Sequence, residues 1–317
     1  MKHSLRGWLR SAPQFLIVVA VVAECVIFAV LSPSFLTVDN FVNVALQIAI
    51  YGILAVGMTL VIITGGIDLS VGSVVALAGV ATASLMEKLA GQPSVGVTLA
   101  IVLGIVLGLI SGGFAGLMVT RLRVPPFIVT LALMTIERGL AFILTGGFSI
   151  GNLPLGFGFL GRGHLGPVPV PVLTMALVFA AGYLLLSKSR SGRYIYAIGG
   201  NEEASRLSGI NTKTVVHGVY LLNGGLAGLA GITLASRLGA GVPNAGLQYE
   251  LDVIAAVVVG GTSLMGGVGS VMGTFWGTVF IGILNNGLNL ANVDPYTQKV
   301  ALGVVILLAV LLDRMKE

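Results

Sequence analysis

Ionisable and hydrogen-bonding side chains are rare in this chain, so the few that interrupt its apolar runs are the ones equipped for chemistry. Glu24, Glu137 and Arg138 lie inside such runs, where a charge is costly and normally faces a partner or a cavity. Glu24 suits a helix–helix hydrogen bond or a carboxyl held neutral. Glu137 and Arg138 are adjacent, and adjacent positions on a helix do not face each other, so each needs its own partner. Asp68 and Ser70 occupy the turn GGIDLSVG, placed either to cap the next helix or to wall a gate. Asn285, Asn286 and Asn289 fall along another run, with Asn285 and Asn289 sharing a helical face. Amides donate and accept, so they serve a solute path or a neighbouring helix equally well. No His, Asp, Glu or Cys group has catalytic or metal-ligand spacing. The single Cys25 excludes an intrachain disulfide framework and any CxxC site. The chemistry on offer is noncovalent.

The one long polar island, residues 187–214, reads SKSRSGRYIYAIGGNEEASRLSGINTKT. A membrane chain has little reason to build a structured charged loop unless something in water docks there. Within it, Asn201 is a good N-cap. Glu202 and Glu203 fill a first turn where the helix dipole favours acids. Glu202 and Arg206 are spaced i, i+4 for an ion pair, Ala204, Ser205 and Leu207 fill the body, and Gly209 suits a left-handed residue after the last turn. The spacing predicts a two-turn helix, marginal alone, that needs packing or a partner.

These residues must be positioned by elements that live in lipid. Hydrophobic residues make up 56% of the 317 and charged residues 9%, against about 25% charged in a soluble domain. So few charges cannot cover a globular surface, and nothing in the net charge of +5 points to nucleic acid. Segments of about ten residues with alternating hydrophobicity, as in a β-barrel, are absent. The chain reads as all-α and polytopic: a single transmembrane domain over 1–317 with short broken or re-entrant segments. About ten spans are expected, at 15–31, 44–63, 71–86, 95–119, 127–144, 170–186, 215–234, 251–261, 269–290 and 296–312. The first run is longer than a signal-peptide core of roughly 7–15 residues, and SPSF is a poor cleavage site, so it is kept as a membrane helix.

Orientation follows from Lys and Arg. With the N-terminus in the cytoplasm, the inside receives Lys2, Arg6, Arg10, Arg121, Arg123, Lys188, Arg190, Arg193, Arg206, Lys213, Arg314 and Lys316. The outside receives Lys88, Arg162, Arg237 and Lys299. Both termini and the island are then cytoplasmic. The longest outer loop, 145–169, is rich in Gly and Pro and is expected to hold turns or a short surface helix.

Glycine punctuates the spans. Gly104, Gly108, Gly112 and Gly116 recur every four residues in the fourth span, and Gly269, Gly273 and Gly277 in the ninth. Small residues at this spacing let helix backbones approach; the first set is assigned to packing within the chain. His217, near the start of the seventh span, is read as an interfacial packing residue. GGIDLSVGSV at 65–74 and GGTSLMGGVGSV at 260–271 echo one another, as repeats with broken helices do in transporters; Gly-rich turns also coincide by chance.

Glu203-Ala204-Ser205 followed by Gly209 resembles the EAA---G signature of ABC importer permeases, with Ser205 standing where the signature has a second Ala. GMTLVIITGGIDLSVGS at 57–73, GRYIYAIGGNEEASRLSGIN at 192–211, YELDVIAAVVVGGTSLMGGVGSVMGT at 249–274 and NNGLNL at 285–290 are similar, in the same order, to the ribose-type sugar permeases. The 145–169 loop shows no such match. The resemblance implies a permease subunit of a bacterial importer in the inner membrane. It further implies a coupling helix at 201–209, two permease copies as a homodimer, a cytoplasmic ATPase that binds ATP and Mg, and a periplasmic sugar-binding protein. Consistent with a nucleotide bound elsewhere, the chain lacks GxxxxGK[ST]. A neutral sugar needs no charged clamp, and Asp68, Ser70, Asn285, Asn286 and Asn289 are the residues named for its path. The alternative is an ion- or proton-coupled secondary sugar transporter, which would draw on Glu24 and Glu137.

Overall fold

The computed structural model describes residues 2–89 and 91–314, with side chains described for 16–89 and 91–311. The terminal charges used for orientation, Lys2, Arg6, Arg10, Arg314 and Lys316, lie outside the described side chains. Helices dominate: α1 Lys2–Leu31, α2 Val38–Ile63, α3 Val71–Lys88, α4 Pro93–Arg121, α5 Pro126–Thr145, α6 Gly158–Arg162, α7 Val170–Lys188, α8 Arg190–Gly200, α9 Glu202–Leu207, α10 Thr212–Leu238, α11 Tyr249–Val259, α12 Val271–Leu290 and α13 Pro295–Arg314. A two-residue hairpin, β1 His164–Leu165 with β2 Val168–Pro169, is the one small sheet among the described residues. It sits with α6 in the 145–169 loop, as the Gly- and Pro-rich sequence suggests.

Local chemistry sets the helix starts. Thr37 accepts from Asn40 N at 3.3 Å to cap α2, and Ser270 accepts from Gly273 N at 3.0 Å to cap α12. Proline occupies the first turn of α4, α5 and α7, where its missing N–H costs nothing.

Among the described residues seven helices are long and apolar enough to cross a membrane: α2, α3, α4, α5, α7, α10 and α12. α1 and α13 carry shorter apolar stretches, Leu16–Leu31 and Pro295–Leu311. α11 is as short as the run expected at 251–261. Its 11 residues reach only about 16 Å, half the hydrocarbon thickness. The non-helical segment 239–248 precedes it. α3 has a similar approach, because residues 64–70 run unwound between α2 and α3. The broken segments expected from sequence are therefore the lead-ins to α3 and α11.

α2 is the axis of the bundle. Every residue from Ile48 to Ile63 is buried, which a helix apolar on all sides requires. α7, α10, α11 and α12 pack around it. α4 lies along α10 through its glycine ladder. A Cβ on Gly108 would overlap Gly224, and one on Gly112 would overlap the Tyr220 carbonyl. Gly116 abuts His217, and Gly104 abuts Ile232. The ladder is an intrachain face, and His217 packs into it, as the sequence suggests. Gly273 and Gly277 press on Gly260 and Ala256 of α11. Gly269 does not belong to that ladder. It precedes α12 and sits against Thr262 and Ile63, because Ser270 ends the turn and starts the helix.

Candidate functional site

The polar island folds into α8 and α9. Ser189 accepts from Gly192 N at 3.0 Å to start α8. Asn201, in extended conformation between the two helices, accepts from Ala204 N at 2.8 Å to start α9. Gly209 takes φ +86, which side-chain-bearing residues resist, and its N–H closes on Arg206 O at 3.0 Å. The expected cap, body and stop all form. The ion pair differs. Arg206 forks onto Glu203, through Nη2 at 2.6 Å and Nε at 3.1 Å, instead of pairing with Glu202. The i, i+3 position lets both guanidinium donors meet one carboxylate, the stronger bidentate arrangement. That fork holds the Glu203 carboxyl below the usual carboxylate range and raises Arg206. Ser205 is buried beneath, while Leu207 stands 77% exposed at the tip. α9 thus shows water one acid, one ion pair and one unprotected leucine.

Behind α9, α8 is joined to the bundle by backbone. A Cβ on Gly199 would collide with Ile63 O and Gly267 N. Those two atoms are themselves hydrogen-bonded at 2.8 Å. Tyr196 Oη donates to Gly269 O at 2.8 Å. The end of α2, the turn before α12 and the end of α8 therefore meet at one point. The two echoed glycine turns are in contact there, with Gly266 beside Gly65.

Asp68 and Ser70 are 1% and 2% exposed and belong to an internal network. Asp68 Oδ1 accepts from Ser70 N at 2.8 Å and Ser70 Oγ at 2.6 Å; Oδ2 accepts from Asn223 Nδ2 at 2.8 Å. Neither side chain caps α3: Ser70 occupies the cap position without a side-chain cap bond, because Asp68 holds its hydroxyl. Ser73 Oγ donates to Glu137 Oε2 at 2.9 Å, and Ser111 donates to the other oxygen. Arg138 turns away, donating to Pro243 O at 2.9 Å, Ala245 O at 2.7 Å and Gly72 O at 3.1 Å. The separate partners expected for Glu137 and Arg138 are found, and they tie α5 to α3, α4 and the unwound lead-in of α11, while Asp68 ties the lead-in of α3 to α10. Glu24 has no interhelical hydrogen bond: both oxygens are buried without a partner among the described residues.

The asparagines divide. Asn286 exchanges two hydrogen bonds with Asn40 of α2, at 2.9 and 3.0 Å. Asn289 donates to Asn285 O at 2.9 Å and accepts from Gln298 Nε2 at 3.0 Å. Asn285 lies near Asp252 of α11. Asp68 and Ser70 are not brought together with the three asparagines. Sequence reasoning passed over Ser73, Ser111, Asn223, Tyr196 and Gly199. Only Gly199 carried a local signal, as half of a Gly-Gly pair at a helix end.

Residues 40–310 match the family described as branched-chain amino acid transport system / permease component. The ribose import permease protein RbsC of Bacillus subtilis is 49% identical over 294 residues, 92% of this chain and 90% of that protein. The protein of the same name from Escherichia coli K12 is 44% identical over 321 residues, 100% of this chain and 97% of the relative. The L-arabinose transport system permease protein AraH of Escherichia coli K12 is 40% identical over 294 residues, 92% and 87% of the two chains.

Proposed function

Because the chain belongs to the branched-chain amino acid transport system / permease component family, we propose that it is the permease subunit through which an ABC importer carries a monosaccharide, ribose or a close relative, inward across the bacterial inner membrane. The observation that carries this reading is similarity to ribose permeases along the whole chain, with a capped polar helix at the place where the importer signature falls. The sugar class follows the relatives rather than the amino acid in the family's description: ribose, L-arabinose and D-allose permeases all match over nine-tenths of this chain. Nothing favours an ion-coupled transporter, and Glu137 is fully engaged by two serines.

The reading extends to partners and topology. The chain catalyses no reaction; ATP and Mg bind a separate cytoplasmic ATPase, in keeping with the missing phosphate loop. That ATPase grips Asn201–Gly209, with Glu202, Glu203, Arg206 and Leu207 in the contact. The chain passes the membrane ten times with both termini inside, and two copies enclose the path. A periplasmic sugar-binding protein meets the opposite end. There, α3, α4, α5 and residues 149–154 frame an open cleft of about 680 Å³ that includes Ser84, Glu87 and Asn152. Asp68 and Ser70 stiffen the gate rather than touch the solute.

Co-expression with an ATPase and a sugar-binding protein, then reconstitution in vesicles, tests this directly. ATP-dependent uptake of D-ribose is expected, together with loss of uptake but retained membrane folding in Gly209→Val. Uptake driven by an ion gradient without ATP, or normal uptake by Gly209→Val, would sink the assignment.

A further inference from the structure

We infer that Tyr51, Tyr249, Asp252 and Asn285 form a recognition station for a neutral monosaccharide partway across the membrane; this rests on the importer reading above.

The four side chains come from three elements that meet nowhere in sequence. Tyr51 stands at the middle of α2, and that helix is about 39 Å long at 1.5 Å per residue. Tyr249 and Asp252 open α11, the half-length helix. Asn285 projects from α12. The rings of Tyr51 and Tyr249 are 4.7 Å apart, tilted 59°. The Tyr51 side chain neighbours Gln47, Tyr249 and Asp252, and Asp252 also neighbours Asn285. Arg237 of α10 lies near both tyrosines, and Lys299 of α13 near Asp252.

Access separates this cluster from the rest of the polar interior. Asp68, Ser73 and Thr130 are sealed at 0–1% exposure. Tyr249, Asp252, Asn285 and Arg237 are only partly buried and Leu251 beside them is 43% exposed, while Tyr51, 6% exposed, closes the inner end. The cluster is therefore partly open on its α11 and α12 side and closed at α2.

The chemistry selects the ligand. A pyranose or furanose offers hydroxyls that donate and accept, and C–H faces that pack on aromatic rings. Here a carboxylate accepts, an amide does both, a guanidinium donates, and two phenols supply ring faces with polar tips. Asp252 lies near both Glu250 and Lys299, and Arg237 lies near the tyrosines, so charges of both signs border the cluster. An amino acid zwitterion would need an unshared carboxylate for its ammonium and an apolar pocket for its side chain, and the cluster offers neither. The contacts are few, which suits brief residence on a route where tight holding would slow release.

The test uses vesicles holding the assembled permease, ATPase and sugar-binding protein. Initial uptake of D-ribose and 2-deoxy-D-ribose is compared for the unaltered chain, Tyr51→Phe and Asp252→Asn, alongside ATP hydrolysis stimulated by the binding protein. The binding protein is common to all assays, so a changed ratio between the sugars reports the permease. Ribose uptake should fall about tenfold in both variants, with the ribose preference cut at least threefold and stimulated hydrolysis within twofold of normal. Should Asp252→Asn fail to assemble, Tyr51→Phe decides, since it keeps ring and volume. An unmoved ratio in Tyr51→Phe, whether or not uptake falls, overturns the station and leaves the importer standing. Absence of ATP-dependent uptake by the unaltered assembly for either sugar removes the importer reading and the station with it.

Discussion

At the scale of single residues, the buried carboxyls fall into opposite energetic classes. Asp68 receives three donors, two from Ser70 and one from Asn223. Glu24 receives none among the described residues. A hydrogen bond to a charged or strongly polar group contributes about 1.5–3 kcal/mol, whereas an unpartnered buried polar atom costs about 1–3 kcal/mol. The two positions should therefore respond with opposite sign. Asp68→Ala strands the Asn223 amide and should lower stability by about 2 kcal/mol, seen as an earlier melt in detergent. Glu24→Leu removes the unmet demand at similar volume and should delay the melt while leaving uptake intact. Equal melting of both variants would show that the network around Asp68 is incidental to the fold. A loss of uptake in Glu24→Leu would return Glu24 to the transport machinery.

Between elements, the contact that matters most is backbone on backbone at Gly199. Its Cα faces Ile63 O and Gly267 N, with no room for a methyl, whereas Gly200 has nothing within 4 Å. Neighbouring glycines thus make a matched pair for experiment. Gly199→Ala must separate α8 from the α2 end and the turn before α12. The expected result is ATP hydrolysis that continues while uptake per ATP falls about tenfold or more; Gly200→Ala should be close to normal in both. Uptake that is equal in the two variants would mean that motion at α9 reaches the bundle by another route. This joint also marks where sequence reading stopped. The cap at Asn201, the stop at Gly209 and the ladder Gly104–Gly116 were legible because each is a spacing of a few residues governed by helix geometry. The pairs Asp68–Asn223, 155 residues apart, and Ser73–Glu137, 64 apart, obey no local rule. Nor does the meeting of Ile63 with Gly267. The shortness of α11 was legible in its apolar run of 251–261, but the unwound path of 239–248 before it was not, because no local rule sets it.

At the scale of the whole molecule, sidedness decides everything else. The bundle places the island, the end of α2 and the turn before α12 at one end, through Tyr196–Gly269 and Gly267–Ile63. It places the 145–169 loop at the outer ends of α3 and α10, where Ile150 pairs with Gly241 and Gly161 N donates to Ser236 Oγ at 2.7 Å. The two ends must then lie on opposite sides of the membrane, whichever side each occupies. Lys188, Arg190, Arg193, Arg206 and Lys213 at the island end, against Arg162 alone in the 145–169 loop, predict by the positive-inside rule that the island faces the cytoplasm. A cysteine placed at Ser208, on a Cys25→Ser background, should resist a membrane-impermeant maleimide in intact spheroplasts and react once the membrane is opened. One placed at Phe148, 80% exposed in the other loop, should react in both. The reverse pattern would set α9 in the periplasm, out of reach of any ATP-hydrolysing subunit. The Glu203–Arg206 pair and the bare Leu207 would then need a different partner, and the contact through Gly199 would transmit nothing driven by ATP.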